Sequence, residues 1–183
     1  DDDAERCYEI TIEIINKSIR WFSENMDKSK NFGGKIYNPL GKTSRQNIVR
    51  ELMPHIRGLI SKDEFKIGHF NDSDEVLEFV NSSRLKELGP LGTSCPDHFL
   101  RTKIRPLILD AIDEGNLDNV IKRLPNQLED YKKYYISYYE RCKYSDSPKV
   151  RDPYPVVYLI PGIGMITFAK DKPTARISSE FYV

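Results

Sequence analysis

Apolar residues recur every three or four positions over residues 3–26, where Ala4, Tyr8, Ile12, Ile15, Ile19, Phe22 and Met26 form one stripe. That period is helical, so the segment is predicted to be an amphipathic helix. Its acidic start, Asp1 to Asp3, suits the positive end of a helix dipole. Residues 27–41 interrupt the pattern with Gly33, Gly34, Pro39 and Gly41 and read as a loop. A second helical stripe follows in Ile48, Leu52, Ile56 and Leu59, with Thr43 or Ser44 as its N-cap. Pro54 falls inside that stripe and is expected to kink or divide the helix.

The pattern then shortens. Phe65 to Phe70 alternates apolar with polar or small residues, the period of a strand. Ser73 is placed to cap a short helix ending at Val80. Residues 88–96 read as a loop, Asp97 to Lys103 as one or two helical turns, and Pro106 to Leu109 as a short buried strand. From Asn116 to Tyr144 runs the longest helical stripe: Leu117, Ile121, Leu124, Leu128, Tyr131, Tyr135, Tyr138 and Cys142. Pro125 is expected to break it in two. After a loop from Ser145 to Pro155, Val156 to Ile160 reads as a buried strand, Pro161 to Gly164 as a turn and Met165 to Phe168 as a second strand. Asp171 caps a final helix. Strands interspersed with helices predict an α/β fold, a central sheet flanked by helices. Residues 1–41 make a helix and loop, and 42–183 the α/β domain.

Composition narrows the functions open to such a fold. The 183 residues suit one domain, and 39% apolar content supplies a core. Lys plus Arg and Asp plus Glu stand at 28 each. With no net charge, no global field draws in nucleic acid or an anionic membrane. No apolar run approaches the roughly 20 residues that span a bilayer, and no signal-peptide pattern opens the chain. Cys7, Cys95 and Cys142 are odd in number and far apart, which argues for a reducing compartment, the cytoplasm, and against a disulfide framework or cysteine-rich zinc site. The chain lacks an initiator methionine and stops within the helical pattern Glu180 to Val183, so it is expected to be a piece of a longer protein.

Motifs for complete catalytic chemistry are missing. Gly162-Ile163-Gly164 follows a strand, as in a dinucleotide-binding turn, but Thr167 replaces the third glycine and a strand follows where phosphate binding needs a helix N-terminus. A tight hairpin is the better reading. Tyr139 and Lys143 have the Tyr-x-x-x-Lys spacing of short-chain dehydrogenases, yet no glycine-rich fingerprint precedes them. His55, His69 and His98 share no metal-ligand spacing. Tyr131 to Tyr144 mixes tyrosines with lysines, but helical spacing puts Tyr131, Tyr135 and Tyr138 inside and the lysines outside, so packing is preferred to stacking on single-stranded nucleic acid. The most unusual stretch is Leu91 to Lys103. Here Gly92, Thr93 and Ser94 lead into a helix start whose free N–H groups favour an anion, and His98, Arg101 and Lys103 add donors or positive charge. Together these six are the candidate site for a phosphate, sugar phosphate or carboxylate. The competing reading is a helix capped by Ser94 or Asp97, with Arg101 in a structural ion pair. Cys95 beside His98 lacks the orienting third group of a nucleophile pair.

Three stretches carry a family resemblance: Gly92 to Leu107, Arg151 to Pro153 with Val157 to Lys172, and Thr174 to Val183. They resemble the bifunctional rhamnulose-1-phosphate aldolase/short-chain dehydrogenase fusions. Glu5 to Glu9 resembles the helix that closes the class II aldolase domain in those proteins. The resemblance implies that residues 1–41 hold this closing helix and its loop. Residues 42–183 would be an intermediate domain, a degenerate class II aldolase-like half, between a zinc-dependent aldolase and an NAD-dependent dehydrogenase. Neither the zinc histidines nor the nucleotide fingerprint falls in this chain, so zinc and NAD are expected of the parent and not of this segment. The flanking domains are the expected partners, with a homo-oligomer open.

Overall fold

The computed structural model describes residues 3–26, 32–113 and 115–183, with Asp97 by its backbone alone. Asp1, Asp2 and residues 27–31 of the expected loop lie outside this description. The chain divides into two compact units, the second running from Phe32 to Val183.

The first unit holds α1 (Ala4–Asn25). Asp3 is its N-cap, the carboxylate accepting hydrogen bonds from the backbone N–H groups of Glu5 at 3.0 Å and Arg6 at 3.1 Å. The apolar stripe is present as predicted, yet no residue of α1 is buried: Phe22 remains 53% exposed and Tyr8 68%.

The second unit is an α/β layer structure around a four-stranded mixed sheet in the order β1-β4-β3-β2. Strand β1 (Ile67–Asn71) pairs antiparallel with β4 (Gly164–Ala169), and β4 antiparallel with β3 (Val157–Ile160). Strand β2 (Leu107–Ile108) pairs parallel with β3 at the far edge. Side chains of alternate strand residues point to opposite faces. Tyr158, Ile160, Ile166 and Phe168 therefore join one core with α2 (Lys42–Ile60) and α6 (Leu117–Cys142). Val157, Leu159 and Met165 join a second core with α3 (Asp74–Val80), α4 (Leu85–Leu88) and Tyr182 of α7 (Lys172–Tyr182). A sheet covered on both faces needs apolar residues at every position, which is why residues 156–160 read as one unbroken apolar run. The turn between β3 and β4 contains Gly162 at φ +84, where a Cβ would come within 2.9 Å of the Ile112 carbonyl. Only glycine suits that geometry. Its N–H donates at 2.7 Å to Oδ1 of fully buried Asn81.

Several expectations require correction. The N-cap of α2 is Gly41, and neither Thr43 nor Ser44 caps that helix through its side chain. Pro54 and Pro125 do not divide α2 or α6, which each run as one helix. Both prolines are exposed, so the carbonyls they strand, those of Arg50 and Ile121, lie on a side that water can reach. In α6 the buried positions are Val120, Leu124, Leu128 and Tyr131, while Cys142 is exposed. The predicted strand at 65–70 runs from Ile67 to Asn71. The one at 106–109 is two half-buried residues. Residues 88–96 contain the end of α4 and a 3-10 turn, Gly89–Leu91, before the loop. Residues 32–41 join the second unit: Lys35 bridges to Ser82, and the Leu40 N–H donates to Gly162. The capping of α7 by Asp171 is as predicted, through a 2.7 Å bond accepted from the Thr174 N–H.

Candidate functional site

The Gly92–Lys103 stretch folds back on the chain that follows it. Gly92 has φ +75, and a Cβ there would meet the Ile104 carbonyl oxygen at 2.2 Å, so loop and backbone touch in a way glycine alone permits. Helix α5 (Pro96–Thr102) starts at Cys95 with no side-chain cap, so Ser94 does not cap it; the Asp97 side chain lies outside the described residues. Thr93 has a buried hydroxyl without a partner among the described residues, and Ser94 is exposed. The His98 ring packs edge-on against Phe181, centroids 4.8 Å apart. Arg101 is exposed and makes no ion pair among the described residues, and its carbonyl accepts from Ser178 Oγ at 3.3 Å.

Lys103 is the turning point. Its backbone sits at φ +62, ψ −177, a region that costs a non-glycine residue on the order of 1–3 kcal/mol. Its Nζ donates to the carbonyls of Asp152 and Tyr154 and lies 4.6 Å from the centre of the Tyr135 ring. On the other side of Asp152, Lys66 Nζ bonds Oδ2 at 2.7 Å and Glu64 Oε1 at 2.5 Å. Tyr139 donates its hydroxyl to the Pro148 carbonyl at 2.6 Å. Three side chains from distant segments thus fix residues 148–154, which have no regular structure of their own.

These groups line a cleft of about 500 Å³. Its floor is Ile60 of α2, Phe168 and Ala169 of β4, and Ser178 of α7. Tyr135, Tyr138 and Tyr139 of α6 form one wall, and Phe99 and Arg101 of α5 with Lys103 just after it another. Of the six candidate residues the structure brings Arg101 and Lys103 to this cleft; Gly92, Thr93, Ser94 and His98 are not among its lining residues. Sequence reasoning passed over Lys66, Lys149, Arg151 and Asp152. The signal was a charged run beside prolines, Lys149 to Asp152, but nothing in it announces which distant residues hold it.

The two lysines on Asp152 are driven in opposite directions. Burial pushes Lys66 down, but hydrogen bonds to Asp152 and Glu64 and the charges of both outweigh it, so its pKa rises above the ordinary value. Lys103 is pushed down to about 8, chiefly by burial; the Asp152 charge opposes this, and Lys66 and Arg151 add to it. Burial also raises the Tyr135 hydroxyl, with Arg151 opposing.

The residues do not fit the metal or nucleotide expected of a parent enzyme. Among the described residues no group of three or more His, Cys, Asp or Glu side chains gathers as metal ligands would. The Gly162–Gly164 turn leads into β4, not into a helix N-terminus. Tyr139 is bonded to Pro148, and Lys143 to Glu140 at 2.6 Å. No helix among the described residues is long and apolar enough to cross a membrane.

A mixed sheet covered by helices on both faces defines an α/β domain. The family described as aldolase class II, second domain, matches residues 47–183, and the chain belongs to that family. It is 35% identical over 183 residues to the uncharacterized oxidoreductase YuxG of Bacillus subtilis (strain 168), an alignment that covers 98% of this chain and 26% of that protein. The chain thus spans about a quarter of the length of the curated relative it matches. No solved structure matches it.

Proposed function

We propose that this chain is a non-catalytic intermediate domain of a larger sugar-phosphate enzyme, positioning a class II aldolase-type lyase domain against a short-chain dehydrogenase domain in rhamnose-type sugar catabolism in the cytoplasm. The observation that carries the reading is the match itself. A family defined as a second domain matches residues 47–183, and the whole chain aligns with only 26% of a relative named as an oxidoreductase, so the chemistry has ample room elsewhere. The exposed stripe of α1 supports the same reading, because a 22-residue helix with no buried residue offers an apolar face to a neighbouring domain. The test is to express the full polypeptide with and without residues 1–183. With the segment removed, aldol cleavage of rhamnulose 1-phosphate and NAD reduction should persist separately, while transfer of product from one to the other is lost. Turnover of rhamnulose 1-phosphate by the 183-residue chain alone would overturn the proposal and favour a class II aldolase-like lyase.

A second reading is an anion- or sugar-phosphate-binding module. The observation favouring it is that Arg101 and Lys103, both singled out by the sequence, line one cleft.

A further inference from the structure

Residues 148–155, the rim of the cleft, find their anchors within this chain, whereas α1 buries nothing. The pattern along α1 says what kind of surface it fits. Tyr8, Ile12, Ile15, Ile19, Phe22 and Met26 follow one another at spacings of four, three, four, three and four, and all are exposed. Two apolar residues in every seven form the seam of a coiled coil. A helix that lies on a globular core carries a wider stripe, with apolar residues in a flanking position as well. Here the flanks are Glu9, Asn16 and Ser23 on one side and Thr11, Ser18 and Asn25 on the other, none of them apolar. The seam therefore has the width of one partner helix.

The flanks also suit a partner identical to α1. Five of the six are uncharged, so two copies meet without like-charge repulsion beside the seam. Thr11, Ser18 and Ser23 donate their hydroxyls, and Asn25 its amide, to carbonyls one turn back in the same helix. Closing the seam strands none of these donors. The order of the seam residues fixes the direction. Laid antiparallel about Lys17, Tyr8 meets Met26, Ile12 meets Phe22 and Ile15 meets Ile19, so each aromatic ring lies opposite an aliphatic side chain. Laid parallel, Tyr8 would face Tyr8 and Phe22 would face Phe22, with slack layers between. Charge agrees with the antiparallel direction. The first half of α1, with Glu5, Arg6, Glu9 and Glu13, is net negative, and the second, with Lys17, Arg20 and Glu24, is net positive. Antiparallel pairing sets unlike halves and opposed helix dipoles side by side.

We infer that α1 pairs antiparallel with α1 of a second copy of this chain, through the seam from Tyr8 to Met26, and so joins two parent polypeptides. Ile10, Ile14 and Trp21 lie on the opposite side of the helix. That side stays open to a neighbouring domain of the same polypeptide, so the pairing is independent of the positioning role proposed above.

The experiment is sedimentation equilibrium over a concentration series, on the 183-residue chain and on the full polypeptide. The 183-residue chain is expected to form a reversible dimer. Ile15→Glu sets a carboxylate against Ile19 twice in each dimer and should raise the dissociation constant about a hundredfold. It removes no core contact, because no residue of α1 is buried. Ile14→Glu, on the opposite side, should leave the dimer unchanged. In the full polypeptide, Ile15→Glu should halve the mass of the assembly. A nitroxide on Cys7, with Cys95 and Cys142 replaced by serine, reads the direction. Antiparallel pairing holds the two labels at least about 30 Å apart along the helix axis, and parallel pairing holds them within about 20 Å. A monomer at every concentration overturns the inference. So does a dimer indifferent to Ile15→Glu, or one weakened equally by Ile14→Glu. A full-length assembly unchanged by Ile15→Glu would give the seam to another domain, and labels within about 20 Å would overturn the antiparallel arrangement. None of these outcomes bears on the product-transfer test of the positioning role.

Discussion

Residues 148–155 and 157–169 adjoin in the chain and are held by opposite means. The hairpin of β3 and β4 is a backbone ladder whose side chains disappear into two cores: Val157, Tyr158, Ile160, Ile163 and Ile166 are all 0% exposed. The rim segment has no ladder. It is pinned at points, by Lys66, Lys103 and Tyr139, each arriving from another element. The hairpin draws its stability from burial, which every neighbour shares. The rim draws on a few polar contacts, so its exposed charges can change without disturbing the fold.

That contrast gives the largest predicted effect. Ile166→Ala should cost about 2–5 kcal/mol, the sum of lost burial and the cavity left behind. Arg151→Ala on the rim should stay within about 0.5 kcal/mol. Urea unfolding of both variants measures the difference, and equal losses would erase the distinction between the two regions. Next comes Lys66→Met, which keeps the buried stem and removes the cation between Glu64 and Asp152. Because Glu64 is 58% exposed and Asp152 36%, water screens the carboxylates left behind, and the expected loss is about 1–2 kcal/mol. A variant as stable as the parent would mean that Lys66 does not hold the rim.

The same contrast explains what the sequence made legible. Periodicity identified α1, α2, α6 and the hairpin, because burial on one face or two imposes a repeat that local reading detects. Asp171 as a cap and the Gly162 turn were legible for a similar reason: each is a local rule satisfied within a few residues. The prolines misled because their cost depends on whether the stranded carbonyl faces water, which needs the third dimension. The site was only half legible. Arg101 and Lys103 stood out as cations near a helix, but Lys66, 37 positions before Lys103, and Asp152, 49 positions after it, carry no mark of meeting there. Ion pairs between distant segments have no period, so nothing in the chain's pattern encodes them.

Within the hairpin, Tyr158 breaks the general rule of burial. Its side chain is 0% exposed, its ring packs edge-on to Phe168 at 5.5 Å, and its hydroxyl is buried without a partner among the described residues. Tyr158→Phe removes the unpaired hydroxyl and keeps the ring contact. The expected outcome is a gain of about 1 kcal/mol, in a region where truncation elsewhere destabilises. A loss on thermal or urea unfolding would mean that the hydroxyl finds a partner after all.

A change of slope with pH separates the two lysines that share Asp152. Lys103 titrates near 8 in the folded chain against an ordinary 10.5 when unfolded. Between those values the unfolded chain holds a proton that the folded chain has released, so stability rises with pH across that window. Below about 8 both forms are protonated and the cost of burying the cation is constant. Lys66 runs the other way: its folded pKa is raised, so its contribution is complete below 10.5 and is lost as pH climbs through the raised value. Tyr135, raised above 10, likewise loses its contribution above that pH. Unfolding free energies measured from pH 7 to 11 on the parent and on Lys103→Met should therefore diverge between about pH 8 and 10.5, the variant lacking the rise, while both still decline above it. If Lys103→Met keeps the parent's slope in that window, the amine is not desolvated in the cleft, and the strained backbone at position 103 has some other cause.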